Sequence, residues 1–436
     1  MSKKKLAIEG GRPSVPQGAF KSIPVVTKAT RARVLEFLDH EDFGVKMPSD
    51  QLPSTKLSKA WTDYLGVKYC LPVNSGTAAL HMCVAALDIG PGDEVIIPAL
   101  TFWASAAAVL HHNAIPVFVD IEPETFCIDP KKIEAKISPR TKAIMPVHLH
   151  GTPADLDPIK VIAAKHNIKV IADACQAAGA SYKGRKVGTM EDVTAFSMEL
   201  SKPLSSGSEG GLFVTDNEEY FNKATLLRQF GELVIPGQVR EYNAQGVGWN
   251  YRISQLGAAF ALGQLESFED VTENRIRCCQ LLSQGLAGVK GVKTPVIPPD
   301  RRSVFFNYVL QFCPEEVGVD MSDSEFRVIM EKALLAEGIF CGKWQHGPVP
   351  AQDVFQKKNA YGKGCPWNCS HYSGTVSYDK NAFPETQKFL DSHTYVGPNA
   401  GKLVPTTPEL VEMCLEGFHK IFENISVVID ATCKKK

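Results

Sequence analysis

Lys202 and Asp173 are the residues of this sequence whose types and settings carry the most chemistry. Lys202 closes Ala195-Phe196-Ser197-Met198-Glu199-Leu200-Ser201-Lys202, a polar loop that leaves a short apolar run. Asp173 ends an earlier strand-like run, Val170-Ile171-Ala172. A lysine amine can form a Schiff base with an aldehyde, and a carboxylate at a strand end can keep a pyridine nitrogen protonated. The pair suits pyridoxal 5'-phosphate, and hence carbon–nitrogen chemistry on an amino or keto substrate. A lysine released from such a bond becomes a base able to move a substrate's α-proton.

Taken singly, each residue has a plainer reading, a solvated lysine and a helix-capping aspartate. Other segments add weight. Asn74-Ser75-Gly76-Thr77-Ala78 is a small-residue turn opening a helix, whose free N–H groups and dipole suit a phosphate; taken alone, the motif reads first as a helix cap by Asn74 or Ser75. Thr101-Phe102-Trp103 follows a strand, where α/β proteins place ligands, and an aromatic there can stack on a pyridine ring. Chemistry alone does not separate Phe102 from Trp103. Gln176 lies within reach of a phenolic oxygen above Asp173, and Ser197 offers a hydroxyl to a phosphate. Asn250, in Gly248-Trp249-Asn250-Tyr251-Arg252, reads as a helix cap in competition with Ser254.

The elements that must position these residues alternate. Helix-like Thr77 to Leu87 and Ala104 to His111 intersperse with strand-like Glu94 to Pro98, Ile115 to Val119, Ala143 to Val147, Val170 to Ala172, Val193 to Ser197 and Leu212 to Thr215. That pattern predicts an α/β fold with a mostly parallel sheet covered on both faces. A helix is expected over Lys28 to Leu38, and another from Ser254 to Phe268. The expected division is an amino-terminal arm and helix over 1–40, a large domain over 41–303, and a smaller carboxyl-terminal α+β domain over 304–436.

A chain of 436 residues exceeds what one core usually carries. Its net charge of −1 excludes a strong general pull toward nucleic acid or anionic membrane. No apolar run approaches ~20 residues, and Met1-Ser2-Lys3-Lys4-Lys5 lacks the apolar stretch of a signal peptide, so a cytoplasmic location is expected. The twelve cysteines are irregularly spaced; Cys365 and Cys369 have His371 as their one close histidine, so reduced thiols and no metal site are expected. No Gly-x-Gly-x-x-Gly follows a strand, which ranks a nicotinamide enzyme last.

Six segments in order resemble the DegT/StrS family of PLP-dependent sugar aminotransferases: Asn74-Ser-Gly-Thr-Ala-Ala-Leu, Pro98-Ala-Leu-Thr-Phe, Val147-His-Leu-His-Gly, Asp173-Ala-Cys-Gln-Ala, Phe196-Ser-Met-Glu-Leu-Ser-Lys and Gly248-Trp-Asn-Tyr-Arg. The resemblance implies the type I aminotransferase fold, with a seven-stranded sheet in the large domain. It implies Lys202 as the Schiff-base lysine and Asp173 as partner of the pyridinium. Gln176 would contact the phenolic oxygen, Phe102 would stack on the ring, and Gly76, Thr77 and Ser197 would hold the phosphate. Asn250 would reach the phosphate in a neighbouring subunit, making a homodimer obligatory. His148 and Arg228 look like substrate-side residues. Lys202-Pro-Leu-Ser-Ser-Gly-Ser-Glu-Gly-Gly carries one residue more than the family pattern, which bears on the substrate side. The segment Gly364-Cys-Pro-Trp-Asn-Cys-Ser-His-Tyr resembles the branch acting on keto-inositols, or making 3-amino-5-hydroxybenzoate. The activity implied is transfer of an amino group from glutamate or glutamine to a keto-cyclitol or keto-sugar. The rivals are a PLP-dependent lyase or dehydratase, and a non-catalytic PLP-binding regulator.

Overall fold

The structure, a computed structural model, describes residues 5–21, 23–40, 47–233, 239–343, 345–397 and 404–433. Residues 1–4 and 22 of the expected arm, and 234–238 of the polar loop before Asn250, lie outside the described residues. The described strands are β1 (Tyr69–Val73), β2 (Glu94–Pro98), β3 (Ile115–Val119), β4 (Thr141–Ile144), β5 (Lys169–Asp173), β6 (Ser181–Tyr182) and β7 (Arg185–Lys186), followed by β8 (Val193–Ser197), β9 (Gly211–Thr215), β10 (Val292–Lys293), β11 (Arg301–Arg302), β12 (Tyr308–Phe312), β13 (Cys341–Gly342) and β14 (His393–Val396). Seven of these form one sheet in the order β1-β9-β8-β5-β4-β2-β3. Strand β9 is antiparallel to both neighbours, and the remaining pairings are parallel. The mostly parallel character is that expected from the alternation of elements, and the seven strands are those implied by the family resemblance.

The reason lies in side chains that leave no polar face. Val-Ile-Ile in β2, Ile-Pro-Val-Phe-Val in β3 and Val-Thr-Ala-Phe in β8 are buried throughout, so both faces must be covered. Helix α1 (Lys28–Leu38) packs on the helix Gln255–Leu265, while α2 (Pro53–Leu65), α3 (Gly76–Ala86) and α4 (Trp103–His111) begin the set of covering helices. The α3 sequence Gly-Thr-Ala-Ala-Leu-His-Met-Cys-Val-Ala-Ala is nearly all buried, its small residues allowing close approach to the sheet. At Gly211 the approach is closest: a Cβ there would lie 2.3 Å from the Ser75 carbonyl oxygen. Glycine is therefore required where α3 starts.

Two expectations shift. Strand β4 runs over Thr141–Ile144 instead of Ala143 to Val147, because Pro146 has no N–H to donate. Its carbonyl still accepts from Asp173 N at 3.0 Å, and His148 N donates to the Asp173 carbonyl at 3.0 Å. Pairing thus resumes as an isolated bridge, Val147 to Asp173, beside the site. The single helix expected from Ser254 to Phe268 is two, Gln255–Leu265 and Phe268–Leu286. Ser254 caps the first, its side chain accepting from Gly257 N, and Asn250 does not.

A four-stranded sheet in the order β10-β12-β14-β13 forms the smaller α+β region. Its core joins Leu282 and Leu286 to Leu310, Phe312, Phe326, Met330 and Phe418, and the amino-terminal arm adds Leu6, Val15 and Phe20. The stretch 349–383 turns the other way, packing Val349, Phe355, Trp367 and Tyr378 into the core beside α4 and β3. A three-stranded sheet, β11-β6-β7, pairs the hairpin between β5 and β8 with a short strand between β10 and β12. Among the described residues no helix is long and apolar enough to cross a membrane.

The arm is fixed by a buried ion pair. Glu337, 1 % exposed, accepts from Lys420 Nζ at 2.9 Å, from Ala7 N at 2.8 Å, and from Ser14 N and Oγ at 3.0 Å each. Lys420 Nζ also donates to the Arg12 carbonyl at 3.0 Å. Truncating one member leaves the other charge buried without compensation, at a cost of about 3–5 kcal/mol. Glu337→Ala is accordingly expected to destabilise the protein by about that amount in denaturant titration. A loss below ~1 kcal/mol would show that the arm is not anchored there.

Candidate active site

Four strand and helix ends meet in a cavity of about 510 Å³ lined by Gly76, Thr77, Phe102, Asp173, Gln176, Ser197 and Lys202, among others. Seven of the eight residues predicted from the sequence thus converge, from the start of α3, the start of α4, the ends of β5 and β8, and the loops after them. The open sheet explains why: parallel strands deliver their carboxyl ends to one edge, where the chain turns into helices.

Asp173 is 5 % exposed. Its Oδ2 accepts from Ser105 Oγ at 2.6 Å, its Oδ1 from Cys175 N at 3.1 Å, and Ser105 Oγ lies 2.6 Å from Thr101 Oγ1. Ser105 was not anticipated. It is the one hydroxyl within Trp-Ala-Ser-Ala-Ala-Ala, and a lone polar residue in an apolar helix is the signal that points to it. Gln176 is 6 % exposed and accepts through Oε1 from His150 N at 2.8 Å, leaving its Nε2 to donate.

Lys202 is half-buried, with Nζ 4.3 Å from the centre of the Phe306 ring. Burial lowers its amine pKa, opposed by the charges of Cys175, Glu199, Asp173 and Glu209. The turn before it is pinned by Glu199, which accepts from Ser201 N at 3.0 Å and Ser201 Oγ at 2.5 Å, while Lys202 N donates to the Glu199 carbonyl at 2.9 Å. After Lys202 the chain returns through Ser206 N to the Met198 carbonyl at 2.8 Å. At the tip of this loop Gly207 has φ 74°, and Ser208 bridges to Glu199. Glu209 then stands at the cavity, its carboxyl pKa raised by burial and by Glu199.

The amino terminus of α3 forms the remaining wall. Ser75 is its cap, accepting from Ala78 N at 3.0 Å, so the choice between Asn74 and Ser75 resolves to Ser75. A Cβ at Gly76 would come 2.7 Å from Ser197 Cβ and 3.1 Å from Ser197 Oγ. Glycine therefore opens a cradle in which the Gly76 and Thr77 backbone and the Ser197 hydroxyl face one small volume, fitting a phosphate. Phe102, 54 % exposed, borders the cavity, whereas Trp103 packs edge-on against Phe355 at 5.6 Å. Phe102 is thus the aromatic available for stacking.

Three residues lie elsewhere. Asn250 is exposed and does not line the cavity of its own chain; its carbonyl accepts from Asn74 Nδ2 at 3.2 Å. His148 is wholly buried, its Nδ1 accepting from Ala154 N at 3.0 Å, and its Nε2 lies 3.6 Å from Glu191. Arg228 ends the helix Glu218–Arg228, where burial lowers its pKa, followed by repulsion from Arg252. Neither residue borders the cavity, because the isolated bridge at Val147 points His148 away from it.

Around the site the protein holds histidines neutral. Burial pushes His81, His150 and His393 each down to about 3. The unfolded chain takes up these protons near pH 6.5, the folded chain only near 3. In between, the unfolded state binds more protons, so stability is lost as the pH falls from about 6.5 toward 3. The melting temperature is expected to drop steadily from pH 6.5 to 4.5, and His393→Asn to flatten that slope. An unchanged melting temperature over that window would contradict neutral burial.

Residues 49–379 match the DegT/DnrJ/EryC1/StrS aminotransferase family. The chain is 42 % identical over 277 residues to the GDP-perosamine synthase of Caulobacter vibrioides, covering 63 % of this chain and 72 % of that one. It is 37 % identical over 302 residues to the L-glutamine:2-deoxy-scyllo-inosose aminotransferase of Micromonospora echinospora, covering 67 % and 71 %. Among solved structures, 3-amino-5-hydroxybenzoic acid synthase superposes with a TM-score of 0.77 at 25 % identity, over 92 % of this chain and 99 % of that one.

Proposed function

The chain belongs to the DegT/DnrJ/EryC1/StrS aminotransferase family, and from that premise we propose that it carries an amino group from glutamine or glutamate to the ketone of a cyclitol or sugar, using pyridoxal 5'-phosphate. The observation that carries this reading is the convergence of the Lys202 amine, the buried Asp173 carboxylate and the glycine-opened cradle at α3 on one cavity. When bound, pyridoxal phosphate supplies an aldehyde for amine exchange and a ring that withdraws electrons. The residues fit it. Gly76, Thr77 and Ser197 bind the phosphate, Phe102 covers the ring, and Asp173 holds a proton on the ring nitrogen. Gln176 donates to the phenolic oxygen. Lys202 anchors the cofactor and then moves the proton at the substrate's α-carbon. Burial favours its neutral amine, the form able to accept that proton.

Two relatives whose names specify a keto-inositol acceptor or a nucleotide-sugar product favour transfer over elimination. The Micromonospora echinospora protein's name also favours glutamine as donor. We assign the reaction to the cytoplasm, where the twelve cysteines, all free, stay reduced. The purified protein with pyridoxal phosphate should show a visible band that glutamine or glutamate bleaches, releasing the matching keto acid. Lys202→Ala should lose the band's borohydride-trapped adduct and at least ~10²-fold in rate. Product formed from a keto-cyclitol without any amino donor would instead establish the lyase.

The working unit in this reading is a homodimer. The loop before Asn250 exposes Phe230, Leu233, Val239, Tyr242, Val247 and Trp249, an apolar surface suited to a second copy. Asn250, exposed at its end, reaches the partner's phosphate. Lys202→Ala and Asn250→Ala should each be inactive alone, yet co-expression should restore activity through mixed dimers that hold one intact site. No recovery, or an active Asn250→Ala, would make each site self-sufficient.

A further inference from the structure

His81 is the one imidazole in the otherwise apolar helix α3 and is 1 % exposed. It lies four residues after Thr77, one helical turn below the proposed phosphate cradle and on the same face. Its Nδ1 lies 3.1 Å from the Tyr251 hydroxyl, and its Nε2 is buried without a hydrogen-bond partner. The Trp249 ring meets the His81 ring edge-on at 4.9 Å and stacks on Tyr251 at 6.0 Å. His111 and His112, from the end of α4, close the other side at 5.4 and 5.1 Å.

The same short segment grips the turn that begins α3. Asn74 N donates to the Tyr251 carbonyl at 2.8 Å, Asn74 Nδ2 donates to the Asn250 carbonyl at 3.2 Å, and Val73 bridges Arg252. The segment is tied on one side to the turn before Ser75-Gly76-Thr77, and on the other to His81 beneath it. A buried imidazole with one unsatisfied nitrogen is destabilising. Hydrophobic packing alone would favour an apolar residue here.

We propose that His81 and Tyr251, with Trp249 stacked between them and the solvent, are positioning residues for the cofactor phosphate: their contact locks the 249–251 segment against α3 and so fixes the Ser75-Gly76-Thr77 turn. This rests on the pyridoxal phosphate reading. Neither residue touches the cofactor cavity, so the effect passes through Asn74 and the helix start. The lock therefore acts on the phosphate and leaves the ring-binding residues Asp173, Gln176 and Phe102 in place.

Pyridoxal, which lacks the phosphate, separates this role from general destabilisation. The full chain is titrated with pyridoxal phosphate and with pyridoxal, each followed by its visible band, for wild type, Tyr251→Phe, His81→Ala and His81→Asn. Tyr251→Phe and His81→Ala should each weaken pyridoxal phosphate about tenfold while leaving pyridoxal affinity unchanged. His81→Asn, which keeps a polar atom near Nδ1, should recover most of the loss. Equal weakening of both ligands, or no weakening in Tyr251→Phe, would overturn the proposal. A wild type that forms no band with pyridoxal phosphate would overturn the cofactor reading itself, which is a separable result.

Discussion

A buried carboxylate governs this molecule. Asp173 sits at the end of a central strand at 5 % exposure, its carboxylate accepting from the Ser105 hydroxyl and the Cys175 N–H, with no ion pair among the described residues. An ionised group in such a place is costly unless it is both hydrogen-bonded and compensated by positive charge. Ser105 and Cys175 N meet the first need. The second falls to whatever occupies the cavity beside Lys202, and a protonated pyridine nitrogen meets it. The sheet leaves this carboxylate open only toward the cavity: β5 is flanked by β4 and β8, and α3 and α4 pack beside it.

The close approach of α3 follows from the same constraint. Gly211 lets the Ser75 carbonyl rest on β9, and Gly76 lets the helix start against Ser197. A side chain at either position would push the helix back, widening the cradle and wetting Asp173. Two glycines thus couple the phosphate end of the site to the ring-nitrogen end. Ser197, at the end of β8, belongs to both the strand that flanks Asp173 and the wall of the cradle.

How much of this was legible depended on whether a residue acts locally. Strands β2, β3 and β8 and helix α1 fall where apolar runs and periodicity place them, because burial on both faces leaves a local trace. Lys202, Asp173 and Gln176 were legible as types at strand ends. Phe102 was not separable from Trp103 in one dimension; the separation comes from Phe355, some 250 residues later in sequence, which claims the tryptophan for the core. His148 was placed on the substrate side by the resemblance alone, whereas its buried ring faces Ala154 N and Glu191. Ser105 and His81 escaped for the converse reason: each is a single polar residue in an apolar helix whose partner, Asp173 or Tyr251, arrives from elsewhere in the chain.

The smaller region reaches the site through one short segment. Phe306 lies under the Lys202 amine at 4.3 Å, and Asn307, the next residue, contacts the His150 ring at 3.1 Å. His150 in turn gives its N–H to Gln176. The segment just before β12 therefore touches Lys202 directly and Gln176 through His150. Its ring stacks on Phe389, and it also lies 5.0 Å from Tyr395 on β14. The segment thus supports both Lys202 and Gln176, whereas Asp173 is held by the larger sheet and the α3 turn by that sheet and the 249–251 segment. In the proposed complex the larger sheet would hold the cofactor's phosphate and ring nitrogen, while Lys202 and Gln176 would answer to both regions.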